Sequence, residues 1–122
     1  MKKILIVEDN VLNLKLFVDV LKANNFEVIP TSDGFQAVNL VEENMPDIIL
    51  MDIQLQGITG IDIIKQIKSV DKFRHIPIIA ITAFAAANDE AKIRDSGCND
   101  FMAKPFSITD LVKKIQQTLE VS

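Results

Sequence analysis

The chain has 122 residues, 48% of them hydrophobic and 25% charged, with a net charge of -4, the balance of one compact domain with a single core rather than of a disordered or fibrous protein. The negative charge excludes the basic footprint of a nucleic-acid binder, and no apolar stretch approaches the ~20 residues that cross a bilayer. A lone cysteine, Cys98, and no signal peptide ahead of the first apolar run predict a cytoplasmic protein whose partners are proteins or small ions, with no nucleic acid and no membrane.

Along the chain the pattern switches repeatedly between short apolar runs and helical spacing. A first strand is predicted over Lys3–Val7 and a helix over Val11–Lys22, which Asn24-Asn25 breaks. Phe26–Thr31 reads as the second strand. Asp33 with Gln36 resembles a capping box opening the second helix, and Pro46 closes it. The third strand is Ile48–Asp52; a loop with Gly57 and Gly60 leads to a helix over Ile61–Ser69. The fourth strand starts after Pro77, its helix runs from Ala85 to Ser96, and Gly97 is the stop. Asp100–Ala103 is the fifth strand, and the last helix starts near Ser107 with Asp110 in its first turn. Five βα units account for the chain, so the expectation is one domain over 1–122 with no second, output domain. Strands alternating with helices predict an α/β fold with a doubly wound parallel sheet.

Four of the strands end on polar residues: Glu8-Asp9, Asp52, Thr82 and Lys104. In a parallel sheet these ends share one edge, where doubly wound folds bind ligands. Any one of them alone reads as a polar cap where a strand leaves the core; all of them together read as a site. Crowded carboxylates raise one another's pKa unless a cation offsets the repulsion. Mg²⁺ suits that role, because it takes one or two carboxylates, waters and a phosphate oxygen. Lys104 adds a compact positive charge for a phosphoryl group, and Thr82 a hydroxyl. A carboxylate can itself attack phosphorus to give an aspartyl-phosphate, and phosphoryl transfer asks mainly for positioning and charge stabilisation.

With Ile4–Asn10, Leu50–Gly60, Ile78–Ala83 and Lys104-Pro105 in view, the chain resembles, over essentially its whole length, the receiver domains of two-component response regulators, the CheY-like group. The resemblance implies five parallel strands in the order 2-1-3-4-5 with five flanking helices. It implies that Asp52 accepts a phosphoryl group from phosphohistidine and that Asp9, Asp52 and the backbone carbonyl of Gln54 hold Mg²⁺, with Glu8 acting directly or through water. Lys104 would pair with the phosphoryl group, while Thr82 and Phe101 would form the switch; a cis Lys104–Pro105 peptide is also implied. Such a protein is not an enzyme except toward its own phosphorylation and dephosphorylation. Its partners would be a histidine kinase or histidine phosphotransfer protein and a downstream protein effector, and it would be a monomer or weak dimer. Segments such as Leu12-Asn13, Lys15-Leu16-Phe17, His75-Ile76-Pro77 and Gly97-Cys98 resemble stand-alone regulators of the DivK type, which act in cell-cycle and division control. Gln56 stands where the family usually has proline, and Phe101 lacks the phenolic hydroxyl common at its position.

Helix 1 is apolar on two faces: Leu16, Phe17, Val20 and Leu21 are expected toward the sheet, and Val11, Leu14 and Val18 outward as a docking surface for the phosphodonor or a second copy. Helix 4 carries a single large apolar residue, Ile93, and is expected to be weakly held. Helix 4, strand 5 and helix 5 are the expected message-bearing surface. Phe84 reads equally as a gate over the acyl phosphate and as ordinary packing, while His75 and Lys113-Lys114 read as surface. Competing classes are a phosphorylation-independent adaptor with the same fold, an intermediate in another phosphorelay, an aspartyl-phosphate phosphatase and a flavin carrier. The phosphatase needs a general acid two residues past the nucleophile, where Gln54 stands; the flavin reading finds no Trp or Tyr to sandwich a ring.

Overall fold

The computed structural model describes residues 1–83 and 87–120. Phe84 and the expected start of the fourth helix at Ala85 lie outside them. The strands are β1 (Lys3–Val7), β2 (Glu27–Thr31), β3 (Ile48–Asp52), β4 (Ile78–Thr82) and β5 (Asp100–Ala103), and the helices α1 (Val11–Ala23), α2 (Ala37–Asn44), α3 (Gly60–Lys68), α4 (Ala87–Asp95) and α5 (Ile108–Glu120). All strand pairs are parallel, in the order β2-β1-β3-β4-β5. Isoleucine-rich runs make the three central strands, since branched side chains fit a pleated surface covered on both faces.

Side chains alternate across each strand, and the core divides accordingly. Leu5, Val7, Ile49 and Met51 join Val41 of α2, Ile64 and Ile67 of α3 and Ile93 of α4. Ile4, Ile6, Leu50 and Ile79 join Phe17 and Leu21 of α1 and Leu111 and Ile115 of α5. No helix among the described residues is long and apolar enough to cross a membrane.

Local chemistry sets the helix ends. Asn10 Oδ1 accepts from the Asn13 amide at 3.0 Å, Thr59 Oγ1 from Ile61 at 3.1 Å and Ser107 Oγ from Asp110 at 3.0 Å, each satisfying a donor the helix leaves unpaired. Asn25, Met45 and Gly97 take positive φ at 69°, 44° and 97° where α1, α2 and α4 end. The capping box expected at Asp33 is not formed: Asp33 caps a 3-10 turn, Gly34–Gln36, through the Phe35 amide, and its own N–H goes to Thr31 Oγ1 at 3.1 Å. α2 therefore starts at Ala37, and left-handed Met45 ends it just ahead of Pro46.

The apolar phase of α1 also differs from expectation. Phe17 and Leu21 are buried, with Leu14 and Val18 packed beside them, whereas Leu16 is 48% exposed together with Val11 and Leu12. Residues 14, 17, 18 and 21 form one i, i+3, i+4, i+7 stripe, and Leu16 falls outside it. His75 and Lys113 are exposed, but Lys114 is not simply solvated, because its ammonium bonds Asp100 Oδ2 at 3.0 Å.

Candidate functional site

The ends of β1, β3, β4 and β5 converge through register. Val7 pairs with Met51, Asp52 with Ile81 and Thr82 with Ala103, so Glu8, Asp52, Thr82 and Lys104 stand at one level of the edge. Backbone bonds hold the connections there: Ile53 N–H donates to Ile81 O at 2.9 Å and Lys104 N–H to Thr82 O at 2.7 Å. Gly60, at the head of α3, lies directly against the last turn of β3. A Cβ at this position would come within 2.2 Å of the Asp52 carbonyl oxygen, so only glycine admits the helix so close.

Glu8, Asp52 and Thr82 are almost fully buried. The Lys104 ammonium reaches Glu8 Oε1 at 2.9 Å and Asp52 Oδ2 at 3.3 Å. Asp52 Oδ1 accepts from the Gln54 amide at 2.9 Å, and Asn13 Nδ2 donates to Glu8 Oε1 at 3.2 Å. The Gln54 carboxamide spans the gap to β4: its Nε2 lies 3.5 Å from Thr82 Oγ1, and its Oε1 accepts from the Ala83 amide at 3.2 Å. Asp9, Asn10, Asn13, Asp52, Gln54, Gln56 and Lys104 line one open cleft of about 420 Å³.

The electrostatics follow from this crowding. Burial, and then the hydrogen bond with Glu8, push the Asp52 pKa up to about 7, against the opposing pull of the Gln54 amide and Lys104. Burial resists ionisation of Glu8 as well, but hydrogen bonds with Asp52, Lys104 and Asn13 outweigh it and hold its pKa below the usual value. Lys104 would lose basicity by burial, yet its two carboxylate partners raise its pKa. The two carboxyl groups thus hold one proton between them up to near neutrality. Once that proton leaves, one ammonium faces two carboxylates and does not balance them.

A hard cation fits that imbalance. Glu8 Oε2 is buried with no hydrogen-bond partner, and the cleft is lined by the carboxylates of Asp9 and Asp52 and by Asn and Gln side chains, which supply the oxygen ligands that Mg²⁺ prefers. Among the described residues no three Asp, Glu, His or Cys side chains form a ready-made metal cage.

The cleft brings together Asp9, Asp52, Gln54 and Lys104, and Glu8 and Thr82 join them through hydrogen bonds. Phe101 does not line it: the ring lies on the neighbouring strand, half-buried against the α2–α4 side of the core. The roles of Asn13 and of the Gln54 side chain are additional. Asn13 stands one helical turn past the Asn10 cap, a spacing that turns it back over the crevice.

The profile of the response regulator receiver domain matches residues 4–116. The chain belongs to the response regulator receiver family. This receiver is 46% identical over 118 residues to the polar-differentiation response regulator DivK of Brucella anthropi, covering 97% of this chain and 96% of the relative. The Brucella ovis protein of the same name is 45% identical over the same length. Among solved structures, the receiver domain of sensor histidine kinase PA1611 from Pseudomonas aeruginosa PAO1 superposes with a TM-score of 0.90 at 34% identity, covering 98% of each chain. That structure has a magnesium ion coordinated in its active site cleft. Chemotaxis protein CheY4 of Vibrio cholerae shares the fold, with a TM-score of 0.91 at 23% identity and coverage of 97% and 98%. The receiver accordingly works as a phosphoryl-accepting module of two-component signalling.

Proposed function

We propose that Asp52 is the phosphoacceptor and that the receiver relays a phosphoryl group from a histidine kinase or phosphotransfer protein in a DivK-like cell-cycle or division pathway. The observation that carries this is the Asp52 carboxyl group, buried at the C-terminal end of β3 between the Lys104 ammonium and the Gln54 amide. A carboxylate oxygen of Asp52 attacks phosphorus, the phosphorus–nitrogen bond of the donor imidazole breaks, and the imidazole leaves with the electron pair. Lys104 then exchanges its Asp52 contact for a phosphoryl oxygen, and the Thr82 hydroxyl turns from Gln54 toward the new charge. Asp9, Asp52 and the Gln54 carbonyl, with Glu8 directly or through water, would hold Mg²⁺. The bound ion would neutralise the carboxylates and the transferring phosphoryl group.

Catalysis extends only to the receiver's own phosphorylation and hydrolysis. The exposed Val11, Leu12 and Leu16, beside a groove formed by Leu16, Phe17, Pro105, Phe106 and Ile108, supply the apolar surface on which the donor docks. Phosphorylation is then read through altered protein contacts in the cytoplasm by a downstream effector.

The test is incubation with acetyl phosphate, with and without Mg²⁺, followed by intact mass measurement and an Asp52→Asn control. A phosphoryl mass gain that needs both Mg²⁺ and Asp52 is the expected result. No gain from acetyl phosphate or from a phosphorylated kinase would favour an adaptor that keeps the fold and has lost the chemistry.

A further inference from the structure

The switch aromatic is held from outside the cleft. Phe101 on β5 is level with Ala80 on β4, and Thr82 is level with Ala103. Ala80 and Thr82 face the same side because strand side chains alternate, and both Ala80 and Phe101 belong to the core layer under α2–α4. The ring therefore lies two register positions below Thr82 on the same face, next to an alanine rather than a branched side chain. Its other side is covered by α4: the Arg94 guanidinium lies over the ring, 4.9 Å from the centroid. Arg94 is itself aimed, since its Nε and Nη2 both donate to Glu90 Oε1, at 3.1 and 2.9 Å. Phe101 has no hydroxyl to hydrogen-bond, so the face of the ring is its only polar handle. A planar cation above that face is the partner it attracts.

We propose that Arg94 is a positioning residue for the switch, with the Glu90–Arg94 pair latching the Phe101 ring in the place found here and tying α4 to β5. The proposal rests on the receiver reading of Asp52. The latched ring belongs to the resting arrangement, because Lys104 in the same structure still lies on the Asp52 carboxylate. A contact made in only one of two states biases the equilibrium by its own strength and no more. For a solvent-accessible cation–π pair that bias is about two- to fivefold. When Thr82 turns toward a phosphoryl group and the ring follows, the guanidinium keeps its Glu90 partner and loses the ring beneath it. Chemistry at Asp52 is thereby reported as a broken contact between α4 and β5.

The experiment uses Arg94→Ala and Arg94→Lys, each in the native and the Phe101→Leu background. The Arg94 and Glu90 side chains are 63% and 43% exposed, so these variants should fold. Aromatic signals of ¹³C-labelled phenylalanine, with Phe101 assigned by its loss in Phe101→Leu, report the ring directly; the rate of phosphorylation by acetyl phosphate reports the coupling. Arg94→Ala should shift or broaden the Phe101 signals and raise the rate about two- to fivefold, and Arg94→Lys, which keeps charge without the planar stack, should fall between. In the Phe101→Leu background neither change should alter the rate. Unmoved Phe101 signals in Arg94→Ala would overturn the latch, as would the same rate change in both backgrounds, which would mean that Arg94 acts by charge rather than through the ring. If the unsubstituted protein takes up no phosphoryl group on Asp52, the receiver reading fails, and the ring signals alone still decide whether the latch exists.

Discussion

Glu8 and Asp52 extend adjacent strands, and their shared proton makes stability depend on pH in two opposite senses. Asp52 has a folded pKa of about 7 against an ordinary 3.8, so the folded chain binds the extra proton between about pH 4 and pH 7 and loses stability as pH rises through that window. Glu8 works the other way: its lowered pKa gives stability that is present above the ordinary 4.5 and lost as pH falls below it. Asp52→Asn should therefore be more stable than the native protein at pH 7.5, by on the order of 2 kcal/mol. Urea denaturation at several pH values should show that advantage shrinking toward pH 4.5 in Mg²⁺-free buffer. The close approach at Gly60 gives a second expectation. A Cβ there meets the Asp52 carbonyl at 2.2 Å and Ile53 Cα at 2.8 Å, and backbone cannot yield as a flexible side chain would. Gly60→Ala should cost about 3 kcal/mol in the same measurement and slow phosphorylation by displacing the end of β3.

The helices differ in how firmly the sheet holds them. α1 anchors through Phe17 and Leu21 and leaves Val11, Leu12 and Leu16 outside. Leu16→Glu should slow phosphotransfer from a kinase or phosphotransfer protein about tenfold, the scale of one interface anchor, with an unchanged melting temperature. Val18→Glu should instead destabilise the fold, because Val18 packs against the core. α4 buries one large apolar side chain among its described residues, Ile93, so its amides should exchange with deuterium faster than those of β1 and β3. Exchange as slow as in those strands would show that α4 is anchored by something other than Ile93. This is also where the sequence was least legible. The bounds of β1, β3 and β5 and the convergence of Glu8, Asp9, Asp52, Thr82 and Lys104 followed from apolar runs ending in polar residues, a pattern that survives without knowledge of the fold. The phase of α1 did not, because its eight large apolar positions satisfy two overlapping helical stripes and only packing chooses between them. Nor did the Gln54–Thr82 bridge or the Arg94–Phe101 stack, which join residues 28 and seven positions apart on different elements.

Across the whole molecule the two ends of the sheet have separate duties. At the end away from the cleft, the Lys68 ammonium donates to Arg74 O at 3.1 Å, Ile76 O at 2.7 Å and Asn99 Oδ1 at 3.0 Å, pinning α3 to the starts of β4 and β5. Lys68→Met should lower stability by about 2 kcal/mol, since it leaves those acceptors unpaired, while the rate of phosphorylation by acetyl phosphate stays within twofold of native. At the cleft end, the ion pair between Glu8 and Lys104 joins residues 96 positions apart. Nothing shorter than almost the entire polypeptide brings that ammonium to the cleft, so a chain that lacks β5 leaves Glu8 and Asp52 without their cation. The cleft is thus a product of the completed fold: its charge balance exists only once the first and last strands share one sheet.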